Sequence, residues 1–349
     1  MSERRDLLVS IANEIRTYRE GEIAQPTPEH VDRWASQFTP TNQLAFLREF
    51  DHVIKQTFIN KDNVVEFLDH LVTNAALVGA SPSAYWASAN FLKIQKRGQS
   101  QKQMVSLMGE RIAERLGLDI ARSGSPQGDF IYLDDVLFTG GRISTDLTAW
   151  IEGPAPSNAV VKVITIALHT SGHYYIESKK LREAIASSGK HVRVSFWKLL
   201  DIENRRYYKN TSDVLWPALI PDDVAVQAYV AAQKAYPVEL RAAGNRGALN
   251  IFSSEEGRNV LEQELLIAGV KIRSLAQDLN DFYRPLGCGG FGVGFGSTIV
   301  TYRNCPNNCP LALWWGDPEE ASGALHWYPL FQRKTYASAE NVFNDFDEF

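Results

Sequence analysis

The segment Val160–Leu168, VVKVITIAL, holds a single charged residue among β-branched and aliphatic side chains. Such a run predicts a strand buried on both faces, as in a parallel sheet with helices on either side. Its neighbours follow the same plan. Phe91-Leu92-Lys93-Ile94 reads as a short strand, followed by the polar stretch Lys96–Lys102 and a helix carrying Met104, Val105, Leu107, Ile112 and Leu116. Phe130–Leu133 is a compact strand, and a helix runs through Leu147 and Ile151. A charged helix covers about residues 175–187, and His191–Trp197 alternates as a strand through Val192, Val194 and Phe196. Strands and helices in alternation predict an α/β fold, a parallel sheet joined by right-handed crossovers.

The flanks read differently. Thr27-Pro28-Glu29 combines a capping residue, a proline at the first helical position and an acid in the first turn. Phe46, Leu47, Phe50, Val53 and Ile54 recur at helical spacing, and Val64, Val65, Phe67, Leu68 and Leu71 form a further apolar run before the break GASPSAYW. Past residue 215, helices are expected at 222–236 and 256–280, then a glycine-rich stretch at 286–304 that runs into a strand. The expected organisation is a helical region 1–80, an α/β core 81–215 and a mixed α+β extension 216–349. A chain of 349 residues has room for about two domains and a large core.

Composition excludes several classes. With 44% hydrophobic and 22% charged residues, the chain is globular rather than fibrous or disordered. Its net charge of −5 argues against a general coat for nucleic acid, so polyanion binding needs a local patch. Residues 171–210, with nine Lys/Arg against four acids, are the best such patch, although a solvated helix face also accounts for much of it. Three cysteines make no disulfide framework and fit a reducing compartment. The N-terminal MSERRDLLVSIANEI lacks a long apolar h-region, and no window approaches about 18 uninterrupted apolar residues. The expectation is a soluble cytoplasmic protein with no membrane partner.

The segment Phe130–Ser144, FIYLDDVLFTGGRIS, carries the chemistry. A buried strand brings two carboxylates, Asp134 and Asp135, to its C-terminal edge, where α/β sheets bind ligands. Glycines then let backbone N–H groups approach an anion, and a helix starting near Ser144 aims its N-terminal amides and dipole at the same point. Acids beside an anion cradle suit a sugar phosphate, whose hydroxyls and Mg²⁺ need carboxylates while its phosphate needs amides. A strand end, a helix cap and an ordinary turn would use the same residues.

This segment resembles the phosphoribosyl pyrophosphate (PRPP) loop of type I phosphoribosyltransferases: four apolar residues, two acids, then a Thr-Gly loop. The resemblance implies that Asp134 and Asp135 contact the ribose hydroxyls and, with PRPP, hold Mg²⁺ indirectly. It also implies that Phe138, Thr139, Gly140, Gly141 and Arg142 wrap the 5′-phosphate. Two positions depart from the family pattern, Phe138 replacing a second threonine and Arg142 replacing a hydroxyl residue, although arginine holds phosphate by a bidentate pair. Ser100 and Lys102 are the candidates for the family's pyrophosphate loop, with a plain solvated loop as the alternative.

The core together with the segments RPLG, GFGS, TYRN and PNNCPLALWW looks like the PRTase-CE group of phosphoribosyltransferase-like effectors in bacterial conflict systems, some encoded with retrons. In the extension, Asn307 and Asn308 offer donors and acceptors for a base edge, and Trp314 a stacking face; they are the acceptor-site candidates, against an Asn-Asn turn and core tryptophans. His169 and His173, at the ligand edge of the best strand, are further acid/base candidates, or histidines satisfied by a turn. The implied activity is transfer or cleavage at ribose C1′, with PRPP or a nucleotide as substrate and Mg²⁺ as cofactor, by a toxic anti-phage effector. A reverse transcriptase and its non-coding RNA or DNA are the implied partners, and a homo-oligomer is left open. The alternative is a non-catalytic PRPP or nucleotide sensor, or a scaffold subunit that binds a nucleic-acid-bearing partner.

Overall fold

A computed structural model describes residues 2–95, 100–234, 237–242, 244, 249–276, 279–290 and 292–333. In chain order the elements are α1 (Glu3–Glu14), α2 (Pro28–Ala35), α3 (Gln43–Thr57), β1 (Phe58–Ile59), α4 (Lys61–Thr73), α5 (Ala75–Val78), α6 (Pro82–Ser88) and β2 (Asn90–Phe91). There follow α7 (Ser100–Leu116), β3 (Phe130–Leu137), α8 (Gly141–Glu152), β4 (Asn158–His169), α9 (Thr170–Tyr175), α10 (Leu181–Ser188) and β5 (His191–Ile202). The last are α11 (Val224–Ala232), α12 (Glu255–Leu275), β6 (Val300–Thr301) and α13 (Leu311–Trp314).

The chain folds into two compact units, one of residues 61–202 and the other of residues 1–60 with 203–349. The first unit is an α/β layer structure around a four-stranded parallel sheet in the order β2-β3-β4-β5. Strand β4 sits inside the sheet, and from Val163 to His169 every residue of it is buried. This is why its sequence is almost uncharged. Tyr132, Val161 and Val163 pack with Leu147, Ile151, Leu181 and Ala184 of α8 and α10. The intervening positions Ile131, Leu133, Ile164 and Ile166 are also fully buried, so both faces of β3 and β4 are covered. Helix α7 lies against β3 and α4, and Asp69 of α4 pairs with Arg111 (2.8 Å) and Arg115 (2.9 Å) of α7.

The second unit corrects the expected organisation. The N-terminal helices and the C-terminal extension share one core, in which Trp34, Phe46 and Phe50 join Leu261, Leu265, Trp315, Trp327 and Phe331. The Trp34 and Trp327 indoles both donate to the carbonyl of Ala312, at 2.8 and 3.0 Å, and β1 pairs in parallel with β6. Helices α1–α3 cannot bury their apolar faces among themselves, so they take α12 and the aromatic end as partners. Residues 61–80 go instead with the α/β unit.

Local signals held where capping chemistry is explicit: Thr27 caps α2 through the His30 N–H (3.2 Å). Several boundaries moved, among them that of β2, which is Asn90–Phe91 rather than 91–94. Strand β3 runs on through both acids to Leu137, because Asp134 and Val136 remain in register with Thr165 and Ala167 of β4. Helix α8 starts at Gly141 rather than near Ser144. The glycine-rich stretch leads into a strand of two residues only, Val300–Thr301.

Candidate functional site

The two acids lie within β3, the loop lies at its C-terminal end, and the N-terminus of α8 follows directly. Asp134 is 3% exposed. Its Oδ1 accepts the Asp135 N–H at 2.9 Å, and the Asp135 Oδ1 accepts the Val136 N–H at 2.8 Å. Burial, then repulsion from Asp135, pushes the Asp134 carboxyl up to about 7; hydrogen bonds from the Ser100 side chain and the Asp135 N–H pull it down, while one shared with the Asp135 carboxyl raises it. Near neutral pH the group is therefore divided between acid and carboxylate. Beside it, the Tyr132 hydroxyl donates to Asp146 Oδ2 of α8 at 2.9 Å, and burial raises the tyrosine pKa far beyond its usual range.

Above this acidic floor Thr139, Gly141 and Arg142 are exposed. Gly140 has φ +80°, a conformation that favours glycine. Thr139 Oγ1 accepts the Gly141 N–H at 3.4 Å, and Ser144 Oγ donates to the Gly141 carbonyl at 2.8 Å. The first turn of a helix has amides without intrahelical acceptors, so α8 brings donors to the rim of this loop.

Two supports for the loop come from α9 and the turn that follows it, and were not legible in advance. A Cβ on Gly172 would lie 2.0 Å from the Phe138 carbonyl oxygen and 2.9 Å from the Thr139 carbonyl carbon. Helix and loop backbones thus meet at a distance only glycine allows. On the other side, a Cβ on Gly140 would lie 2.7 Å from Cδ1 of Ile176, the first residue of a π-helical turn, Ile176–Lys180. Such turns are rare and gather at functional sites. The third support is His169. It is fully buried, its Nδ1 donates to the Leu137 carbonyl at 3.1 Å, and its ring stacks on Phe138 with centroids 4.8 Å apart. Burial pushes its pKa down to about 3, which leaves the ring neutral near pH 7. His173 is also lowered by burial, and its ring packs edge-on against Phe196 at 4.4 Å.

The expected residues are divided between the two units. Ser100, at the first turn of α7, shares a hydrogen bond with the Gln95 side chain (3.2 Å) and is among the groups that lower the Asp134 pKa. Lys102 sits on the exposed side of the same turn, and residues 96–99 lie outside the described ones. Asn307, Asn308 and Trp314 belong to the other unit, and two of them are occupied by its packing. The Asn308 amide donates to the Cys288 carbonyl at 3.0 Å, and the buried Trp314 indole donates to the Cys309 carbonyl at 2.9 Å. The basic run of residues 171–210 is divided between the units, and several of its charges are paired: Lys198 with Asp201 at 3.4 Å, Arg205 with Glu203, Lys209 with Glu239 at 3.7 Å.

Among the described residues no group of three or more metal-ligating side chains occurs, and no helix is long and apolar enough to cross a membrane. Asp134 and Asp135 nonetheless offer the hard oxygen pair that Mg²⁺ uses when a substrate's phosphates supply its other ligands. A carboxyl pair under an exposed loop and a helix N-terminus can take up a hydroxylated anion from two sides.

No curated protein and no solved structure matches the chain significantly. The family model PRTase-CE matches residues 31–333, which include the whole α/β unit with its Asp134–Arg142 segment and most of the second unit. The parallel α/β sheet, the acid pair and the loop after it fit a phosphoribosyltransferase-like protein, and the chain belongs to the PRTase-CE family.

Proposed function

We propose that the Asp134–Arg142 segment binds PRPP or a nucleotide and that the protein acts at ribose C1′. The observation that carries this reading is the buried Asp134 with the half-buried Asp135 beside it, at the end of β3 before a glycine loop and the start of α8. On this reading the Thr139 hydroxyl, the loop amides and the Arg142 guanidinium hold the 5′-phosphate. The carboxyls orient the ribose through its hydroxyls. In ionised form they oppose the positive charge that grows at C1′ as the bond to the leaving group stretches. Asp134 and Asp135 would hold Mg²⁺ with the ligand's pyrophosphate, and the ion's chemistry there is to neutralise leaving-group charge. Transfer to an acceptor and cleavage of a nucleotide use the same geometry.

The biological role that fits the family is a toxic effector of bacterial anti-phage defence, working with a reverse transcriptase and its non-coding RNA or DNA. The test is the double variant Asp134→Asn, Asp135→Asn. It is expected to lose PRPP binding in calorimetry and to lose toxicity on induced expression, with mass spectrometry of nucleotide pools and RNA reporting the product. Unchanged binding together with unchanged toxicity would refute the proposal.

One observation favours a second reading, a non-catalytic sensor. Phe138 stands where the family carries a hydroxyl, and its ring stacks on His169. PRPP binding without pyrophosphate release across bases, nucleosides and RNA would select the sensor.

A further inference from the structure

Thr165 is 1% exposed, and its hydroxyl has no hydrogen-bond partner among the described residues. It lies in β4 directly in register with Asp134 of β3 and with Lys198 of β5. Register partners in a parallel sheet project from the same face, about 4.8 Å apart. Valine would fill the same volume without the cost of a buried, unsatisfied hydroxyl. Every other residue from Val163 to Leu168 is apolar, so the hydroxyl interrupts an apolar strand only beside the acid.

We propose that Thr165 is a ligand-binding residue, and that with Asp134 it recognises the vicinal diol of a ribose 5-phosphate, making the site selective against 2-deoxyribose. This rests on the reading of the Asp134–Arg142 segment as a ribose-phosphate site. A carboxylate only accepts hydrogen bonds, whereas a threonine hydroxyl both donates and accepts. The two side by side complement two adjacent sugar hydroxyls, one giving its proton to Asp134 and the other exchanging bonds with Thr165. Removing one sugar hydroxyl leaves the Thr165 group buried and unpaired again, which is a strong basis for rejecting an analogue.

The test measures binding of PRPP, ribose 5-phosphate and 2-deoxyribose 5-phosphate, each with Mg²⁺, to the full chain and to Thr165→Val and Thr165→Ser. Thermal unfolding is followed in parallel without ligand. The wild type is expected to prefer ribose 5-phosphate to the deoxy sugar by about tenfold. Thr165→Val should lose about tenfold for PRPP and ribose 5-phosphate, bind the deoxy sugar as the wild type does, and unfold at the same or a higher temperature. Thr165→Ser should keep the preference. Wild-type affinity and selectivity in Thr165→Val would overturn the inference and leave the loop reading intact, as would a wild type that binds both sugars equally. A lowered unfolding temperature in Thr165→Val would show the hydroxyl satisfied within the fold and would also overturn it. A wild type that binds none of the three would overturn both readings.

Discussion

Replacing Gly172 with alanine tests whether α9 sets the position of the Phe138–Arg142 loop, proposed to hold phosphate. The added Cβ would lie 2.0 Å from the Phe138 carbonyl oxygen and 2.8 Å from Leu137 Cδ2, where real Cβ contacts stay beyond 3.0 Å. Loop and helix must therefore separate by about 1 Å, and no flexible side-chain end can absorb the shift, because the nearest atom is backbone. Overpacking of this kind costs about 1–3 kcal/mol, offset by about 1 kcal/mol from the better helix propensity of alanine, leaving a net loss of about 0–2 kcal/mol. Binding should suffer more, because a misplacement of about 1 Å in a positioned site costs up to about 100-fold. The assay pairs calorimetric titration with PRPP and Mg²⁺ against thermal unfolding. Ile151→Val, a fully buried truncation in α8 worth about 1 kcal/mol, serves as the control for stability alone. Wild-type affinity in Gly172→Ala, or an equal loss in Ile151→Val, would refute the idea that this glycine contact places the loop.

Two further predictions follow from electrostatics. Asp134 has a folded pKa of about 7, above its ordinary value, so the folded state binds the extra proton and stability should fall as pH rises from about 4 to about 7. Asp134→Asn should flatten that slope and raise the unfolding temperature at pH 8; a slope unchanged from wild type would show the carboxyl to be ionised throughout. Asp69 has the opposite sign, since the hydrogen bond from Arg115, ahead of that from Arg111, lowers its pKa. Its contribution is present above pH 4 and lost as pH falls through the folded pKa, so Asp69→Asn should cost about 1 kcal/mol at pH 7 and nothing near pH 2 in urea titrations.

How much of this was legible in the residues differs from element to element. Val160–Leu168 could be only a doubly covered strand, and β4 is one; Thr27-Pro28-Glu29 could be only a helix start, and α2 begins there. These are local matters, governed by solvation of a short segment and by the first few N–H groups of a helix. The acid pair and its loop were also legible, because consecutive residues at the end of one strand stay together whatever the rest of the chain does. The length of β3 was not, because two acids suggest the end of a strand while the ladder to β4 carries Asp134 and Val136 onward.

By itself, then, the order of residues determined the α/β class, the crossover pattern and the placing of the acid pair and its loop side by side, since each depends on neighbours in the chain. The tertiary structure alone decided which distant groups meet. It joined residues 1–60 to 203–349, because apolar helix faces take whichever partner covers them. It buried Asp134 and moved its pKa, since desolvation is a property of the assembled core rather than of a dipeptide. And it set Gly172 and His169 beneath the loop and Thr165 beside the acid, because contact across strands and helices is fixed by register and packing that no local pattern encodes.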